Sequence, residues 1–333
     1  MSAHKDRIRA AMAGEPVDRP PVSLWRHNFL REWSAEELAD EAVAMQHLYD
    51  WDLLKLNPRW SYLAEAFGNR YRRPAGQHYQ QLTHRVVETA DDLGRIAPAA
   101  SSHPALAQQL DALRLVVGAV GADVDVIHTV FSPLAVVGLL AGGVGEPLIA
   151  LGRQHPNGLQ LALEAVRETV LTHIQDALDR GASGVFYAPL RWTSQDVCDA
   201  EFYAKFGLPH DAWILSRIPD AEIRVLHLCG DEIGEERFRS LSANAISWDD
   251  RGSGNPSMPE LAHSSGKTVM SGVPHRRLGR VARANLRLAM EESVNGLDRG
   301  FILAGGCAVG AELAHDQLAA VANVAGGWRP GRR

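Results

Sequence analysis

The apolar residues of this chain gather in eight short runs, at 21–25, 53–56, 124–130, 184–187, 223–228, 245–248, 268–271 and 300–304. The runs are rich in β-branched or aliphatic residues and lack strict polar alternation. That is the pattern of parallel strands whose two faces are both covered. Between them the period changes to that of helices. Residues 34–49 form one candidate, with Ser34 as N-cap and Glu37 three positions on, the spacing of a capping box. Residues 159–180 carry apolar side chains at 159, 163, 166, 170, 174 and 178, one helical stripe, and Gly181 follows as a C-cap. A third candidate covers 280–295 and is closed by Gly296.

Strand followed by helix, repeated about eight times, predicts an α/β chain folded as a single (β/α)8 TIM barrel. One domain would span 1–333. Residues 59–123 contain no obvious strand and are expected to be a largely helical insertion after the second strand, with a small hairpin over 70–81. A doubly wound open sheet would place a glycine-rich phosphate turn after its first strand. Here that strand runs into Trp25-Arg26-His27-Asn28 instead. The glycines at 142, 143 and 145 have no Gly-Lys-Ser/Thr behind them and read as a loop or helix end. Gly252-Ser253-Gly254 lacks the spacing of a nucleophile elbow.

Composition narrows the classes. A net charge of −6 without a dominant basic cluster argues against a nucleic-acid surface. The arginines between 276 and 287 read as the charged face of a helix and its approach. No apolar stretch reaches the length of a membrane span, and no apolar core follows the charged residues after Met1. Three cysteines are too few for a disulfide framework, which points to a reducing, cytoplasmic setting.

Two of those cysteines change the picture. His227 and Cys229 are two apart on a predicted strand, so their side chains share a side. Cys307 stands at the corresponding end of the last strand. Barrel strand ends converge on one mouth. One imidazole and two thiolates there suit zinc with an open fourth position, the pattern of a catalytic site that activates a thiol. The competing reading is two small buried hydrophobes and a hydrogen-bonded core histidine. Cys198 reads as incidental. Other polar residues at predicted strand ends are candidate substrate contacts: His27, Lys55, Asn57, Tyr187, Trp248 and Asp249. Asp249 and Asp250 could orient a ligand histidine. Glu312 is a candidate fourth ligand, and His263 and His275 are expected on the surface.

These residues carry a family resemblance over nearly the whole chain. Asp18-Arg-Pro-Pro-Val22, Trp51-Asp-Leu-Leu-Lys-Leu-Asn-Pro58, His227-Leu-Cys-Gly230, Ile246-Ser-Trp-Asp-Asp250, Gly272 and Phe301-Ile-Leu-Ala-Gly-Gly-Cys307 resemble the uroporphyrinogen decarboxylase superfamily. The resemblance implies the barrel. Its zinc-dependent methyltransferases, similar to corrinoid:coenzyme M enzymes, carry His-x-Cys and a distant Cys, which implies zinc-ligand and catalytic roles for His227, Cys229 and Cys307. Its metal-free decarboxylases grip their substrate with an arginine-rich Arg-Gln-Ala-Gly-Arg-Tyr stretch and use an aspartate after the second strand. This chain has Arg26-His-Asn-Phe-Leu-Arg31 and Leu56-Asn-Pro-Arg59 in those places, with no carboxylate at the second.

The expected function is therefore zinc-dependent methyl transfer between a thiol and a carrier. No Asp-x-His-x-x-Gly signature occurs, so a corrinoid would be carried by a partner protein. The resemblance is also compatible with a homodimer. The alternatives are a metal-free decarboxylase-like lyase acting on a carboxylated substrate, and a non-catalytic corrinoid- or tetrapyrrole-binding protein.

Overall fold

Each of the eight apolar runs forms a strand in a computed structural model that describes residues 3–219 and 222–328. In chain order the strands are β1 (Val22–Ser23), β2 (Leu53–Leu56), β3 (Arg70–Arg72), β4 (Gln81–His84), β5 (Asp125–Phe131), β6 (Gly184–Ala188), β7 (Ile223–His227), β8 (Ala245–Ser247), β9 (Thr268–Val273) and β10 (Phe301–Gly305). All but β3 and β4 belong to one parallel sheet, ordered β1-β10-β9-β8-β7-β6-β5-β2. Helices alternate with these strands and the sheet is a nearly closed α/β barrel. Among the described residues no helix is long and apolar enough to cross a membrane.

The helix Ala35–Tyr49 begins where the sequence pattern places it, and the Ser34 hydroxyl accepts from the Glu37 amide at 3.0 Å. The Glu37 carboxylate lies 3.6 Å from Arg73 of the hairpin loop, so it serves that contact rather than the second half of a capping box. The long helix Pro156–Asp179 buries the stripe expected of it, and Gly181 follows at φ +91°. The helix expected over 280–295 is shorter, Arg283–Ser293, because the preceding residues turn at His275–Arg277. Residues 59–123 hold two short helices, the antiparallel β3–β4 hairpin, and the helix Pro104–Val120 that packs on Ala35–Tyr49 and returns the chain to β5.

The barrel closes between β1 and β2 without a regular ladder. The Asp52 amide donates to the Val22 carbonyl at 2.8 Å, and the Ser23 hydroxyl to the Leu53 carbonyl at 2.8 Å. The Asp52 carboxylate, fully buried, accepts from the Val22 amide at 2.8 Å, from Arg7 at 2.5 Å and from Arg19 at 2.6 Å. His4 lies 2.9 Å from the same carboxylate. The N-terminal helix Ala3–Met12 is thereby fastened under the closing edge.

Behind the wall, His128 of β5 and His173 of the helix Pro156–Asp179 are buried with their Nε2 atoms 3.0 Å apart. Among the described residues their Nδ1 atoms have no hydrogen-bond partner. Burial, with a smaller repulsion from Lys55, pushes His128 down to about 3, and burial holds His173 well below its ordinary value. The folded chain therefore resists protons that the unfolded chain accepts below 6.5. This contribution is fully present above that pH and is lost as pH falls toward about 3. Urea unfolding is expected to show stability dropping between pH 6.5 and 4.5, by on the order of 2 kcal/mol per histidine. A His128→Leu, His173→Leu double variant should lose most of that slope.

Candidate metal centre

His227 ends β7 and the chain stays extended beyond it, the Leu228 amide donating to the Ser247 carbonyl at 2.8 Å, so His227 and Cys229 share one side while Leu228 is buried in the apolar core. The Cys229 amide donates to Thr193 Oγ1 at 2.9 Å and its carbonyl accepts from Ser194 Oγ at 3.1 Å. Gly230 follows at φ +105°, and a Cβ there would strike the Ser194 hydroxyl. The chain can turn away just after the cysteine only with glycine at this place.

Cys307 arrives from β10, after Gly305 and Gly306. The Gly306 amide donates to His275 Nδ1 at 3.2 Å, and its Cα packs against the Asp249 backbone so closely that a Cβ would collide with it. Beyond the cysteine, the Val309 amide donates to the Trp25 carbonyl at 2.9 Å and Arg26 bridges to Val309. The loops after β1 and β10 are thus joined. Gly306→Ala is expected to cost about 1–3 kcal/mol and to loosen Cys307. Urea titration would give the stability, and dialysis against a chelator would show faster metal loss than in wild type.

The ligand atoms of His227, Cys229 and Cys307 lie within 4.8 Å of one another. Cys307 is held well below the ordinary thiol range, first by the hydrogen bond from Cys229 and then by that from His227. Cys229 keeps its proton for the reciprocal reason, with burial adding to it. Two sulfurs sharing a proton is the arrangement a divalent cation relieves. Zinc holds sulfur and nitrogen at about 2.0–2.3 Å, which puts neighbouring ligand atoms roughly 3.3–3.8 Å apart. Ligand atoms no more than 4.8 Å apart are compatible with an ion between them, so the donor set fits zinc in chemistry and approximate size. His227 Nδ1 is 3.4 Å from Ser247 Oγ, leaving Nε2 as the nitrogen available to an ion. The imidazole also lies on Phe186, ring centroids 5.0 Å apart.

The other residues expected at the mouth divide. Lys55 reaches the interior between the rings of Trp25 and Phe186, at 4.9 and 4.5 Å, and donates to Asn57 at 2.6 Å. Burial lowers its amine to about 7, and the negative charges of Cys307 and Glu32 oppose that shift. His27 lies 2.7 Å from Glu32 Oε1 and stacks on Phe29, with Tyr79 of the hairpin loop against both rings. Tyr79 keeps 58% of its surface exposed and covers the edges of the His27 and Phe29 rings from the solvent side. Asp249 lies 2.6 Å from Arg276 and 3.8 Å from His275.

Tyr187 and Trp248 are elsewhere. Tyr187 is next to inward-facing Phe186 and so turns outward, where it donates to buried Asp211 at 2.6 Å, a carboxyl shared with Tyr203. Trp248 is fully buried and donates to the Pro256 carbonyl at 2.9 Å. Asp250 braces Ser271, Gly272 and Ser293. Glu312 is exposed and outside the ligand cluster, and His263 is exposed as expected. His275, expected on the surface, instead has a nearly buried side chain against Gly306. Arg276 pairs with Asp231 and Asp249 at the mouth rather than lining a helix face. Cys198 is buried, and burial raises its thiol to about 12, which makes it inert.

The family model described as uroporphyrinogen decarboxylase (URO-D) matches residues 3–328. The chain belongs to the URO-D family. Among solved structures, this URO-D chain is similar to a methyltransferase from Methanosarcina mazei, with 19% identity, a TM-score of 0.81, and 98% of this chain and 99% of that one covered. It also resembles a B12-independent methionine synthase from Shewanella sp. W3-18-1 solved with selenomethionine, at 11% identity, TM-score 0.62, covering 92% and 95% of the two chains. At these identities the likenesses show a shared fold. No curated protein gives a significant match.

Proposed function

We propose that this URO-D family member is a cytoplasmic, zinc-dependent methyltransferase that moves a methyl group between a small thiol and a corrinoid carried by a partner protein. The observation that supports this most is the meeting of His227, at the end of β7, with Cys229 and Cys307, just past β7 and β10, at the barrel mouth. His227, Cys229 and Cys307 would hold the metal, with the fourth position left for substrate. Zinc bound there supplies a lowered thiol pKa, keeping the substrate sulfur as the nucleophilic thiolate. The sulfur–carbon bond forms as the methyl–carrier bond breaks. The electron pair leaves on the carrier, and the thiol proton is lost on binding.

The chain's own residues orient and shield this exchange. Ser247 and Phe186 hold the His227 ring from two sides. Trp25 and Phe186 make an apolar floor, and His27, Phe29 and Tyr79 form an aromatic rim. Such walls keep water from the displacement and favour a desolvated sulfur. The named neighbours, a methyltransferase and a methionine synthase, agree with methyl transfer.

The decarboxylase reading loses support because the cations near its usual grip are already engaged. Arg59 forms two 2.8 Å bonds to Glu65, and Arg26 and Arg31 both reach Glu41. The direct test mixes zinc-loaded protein with methylcobalamin and a panel of small thiols. The expected result is thiol-dependent loss of the methylcobalamin spectrum with formation of a methyl thioether, seen by mass spectrometry. Absence of any methylated thiol, together with carbon dioxide release from a carboxylated substrate, would replace this reading.

A further inference from the structure

We propose that Thr193 is a positioning residue for Cys229: its hydroxyl holds the backbone of that cysteine and so decides where the sulfur meets a metal. What the sulfur is placed for rests on the zinc reading above; the hold on Cys229 does not.

His227 belongs to the sheet, opposite Ser247 of β8. Cys229 lies two residues on, past the last ladder contact, the Leu228 amide on the Ser247 carbonyl. Among the described residues its amide and carbonyl make no hydrogen bond to another backbone group. Their partners are instead side chains of the loop after β6. The Cys229 amide donates to Thr193 Oγ1 at 2.9 Å. That hydroxyl stands 2.9 Å from the Cys229 carbonyl and 3.1 Å from the Leu190 carbonyl, and Ser194 Oγ is 3.1 Å from the Cys229 carbonyl. Each hydroxyl has one proton to give. Every group is satisfied when Ser194 donates to Cys229 and Thr193 to Leu190. Thr193 and Ser194 are both fully buried, so bulk water cannot take their place.

Thr193 is held in its turn. Leu190 adopts φ +55°, a left-handed conformation that a bulky side chain rarely takes, and it opens the short helical turn Leu190–Thr193. Strain of that kind persists only where the surroundings enforce it, and it gathers at functional sites. The Gly234 amide donates to the Thr193 carbonyl at 3.2 Å and the Gln195 amide to the Glu232 carbonyl at 3.0 Å, while Ser194 bridges antiparallel to Ile233. The loops after β6 and β7 thus clasp each other around Cys229, and the Thr193 hydroxyl links the strained turn to the ligand. A residue bonded through backbone alone keeps its place whatever its neighbours' side chains; here the place of a ligand depends on one hydroxyl.

The test compares Thr193→Val, which keeps the shape and loses the hydroxyl, with Thr193→Ser, which keeps the hydroxyl. In metal-free protein the Cys229 amide should exchange hydrogen at least about tenfold faster in Thr193→Val than in wild type, and near the wild-type rate in Thr193→Ser. Zinc affinity, measured by competition with a chromophoric chelator, should fall about 10–100-fold in Thr193→Val and recover in Thr193→Ser. The sulfur-to-cobalt absorption of cobalt(II)-loaded protein should shift in the valine variant and match wild type in the serine variant. A loss of loop stability alone would not give that signature. If valine prevents folding, Thr193→Ala makes the same comparison. Unchanged zinc affinity without the hydroxyl, or a loss that Thr193→Ser does not restore, would overturn the proposal. A wild-type protein that took up neither metal would sink the zinc reading. The exchange rates would then decide the hold on Cys229 by themselves, and equal rates in wild type and Thr193→Val would refute it.

Discussion

Cys307→Ser is expected to reduce bound zinc from about one ion per chain to a small fraction and to abolish most methyl transfer. A serine hydroxyl stays protonated at neutral pH and is a poor replacement for thiolate. With His227 and Cys229 left alone, two ligands cannot hold the ion against dialysis. Loss of partners merely touching a ligand lowers metal affinity or activity about 10–100-fold, so removal of a ligand should exceed a hundredfold. Elemental analysis of dialysed protein gives the first quantity, and the methylcobalamin assay the second. Cys198→Ser, at a buried thiol outside the ligand cluster, should keep both near wild type. Full zinc retention in Cys307→Ser would show that the cluster does not hold the metal.

The largest stability effect is expected at Asp52→Ala. Its carboxylate takes Arg7, Arg19, the Val22 amide and the neighbouring His4 at once. Removing it strips Arg19 and His4 of this carboxylate, leaves Arg7 with Asp18 alone and opens the edge where β1 and β2 lack a ladder. Breaking such a buried pair costs about 3–5 kcal/mol, a fall in Tm of roughly 4–7 °C for a chain of this size. Burial pushes the Asp52 carboxyl up, but bonds from His4 and Arg19 outweigh it and leave the group below its ordinary value. Its contribution is therefore present above 3.8 and disappears as pH falls further. Thermal unfolding at pH 7 would measure the loss. A change under 1 kcal/mol would mean that the seam is held by apolar packing instead.

The barrel was legible because parallel strands covered on both faces appear as uninterrupted apolar runs. That same feature hid which residues point inward. All of β6 is buried, so nothing in its composition distinguishes Phe186, facing the site, from Tyr187, facing Asp211. Trp248 was misplaced for the same reason, one step out of phase with Ser247. The meeting of His227, Cys229 and Cys307 was readable because His227 and Cys229 are two apart on extended chain at the end of β7 and because cysteine is scarce. His275 was obscured by its neighbours Arg276 and Arg277, which suggest a solvated turn. Its place depends on Gly306, a contact between distant loops with no local signal. The Glu32–His27 contact lies in a loop and follows no periodicity.

β1 contains two residues, and its ladder partner is β10, encoded almost a full chain later. During synthesis the first staves of the cylinder must therefore wait for the tenth strand before the ring can shut. Cys307 emerges just behind that strand, so the His227–Cys229–Cys307 cluster is completed last. A ribosome-bound chain stopped before β10 should carry His227 and Cys229 yet remain unable to retain metal, which separates translation of the ligands from assembly of the centre.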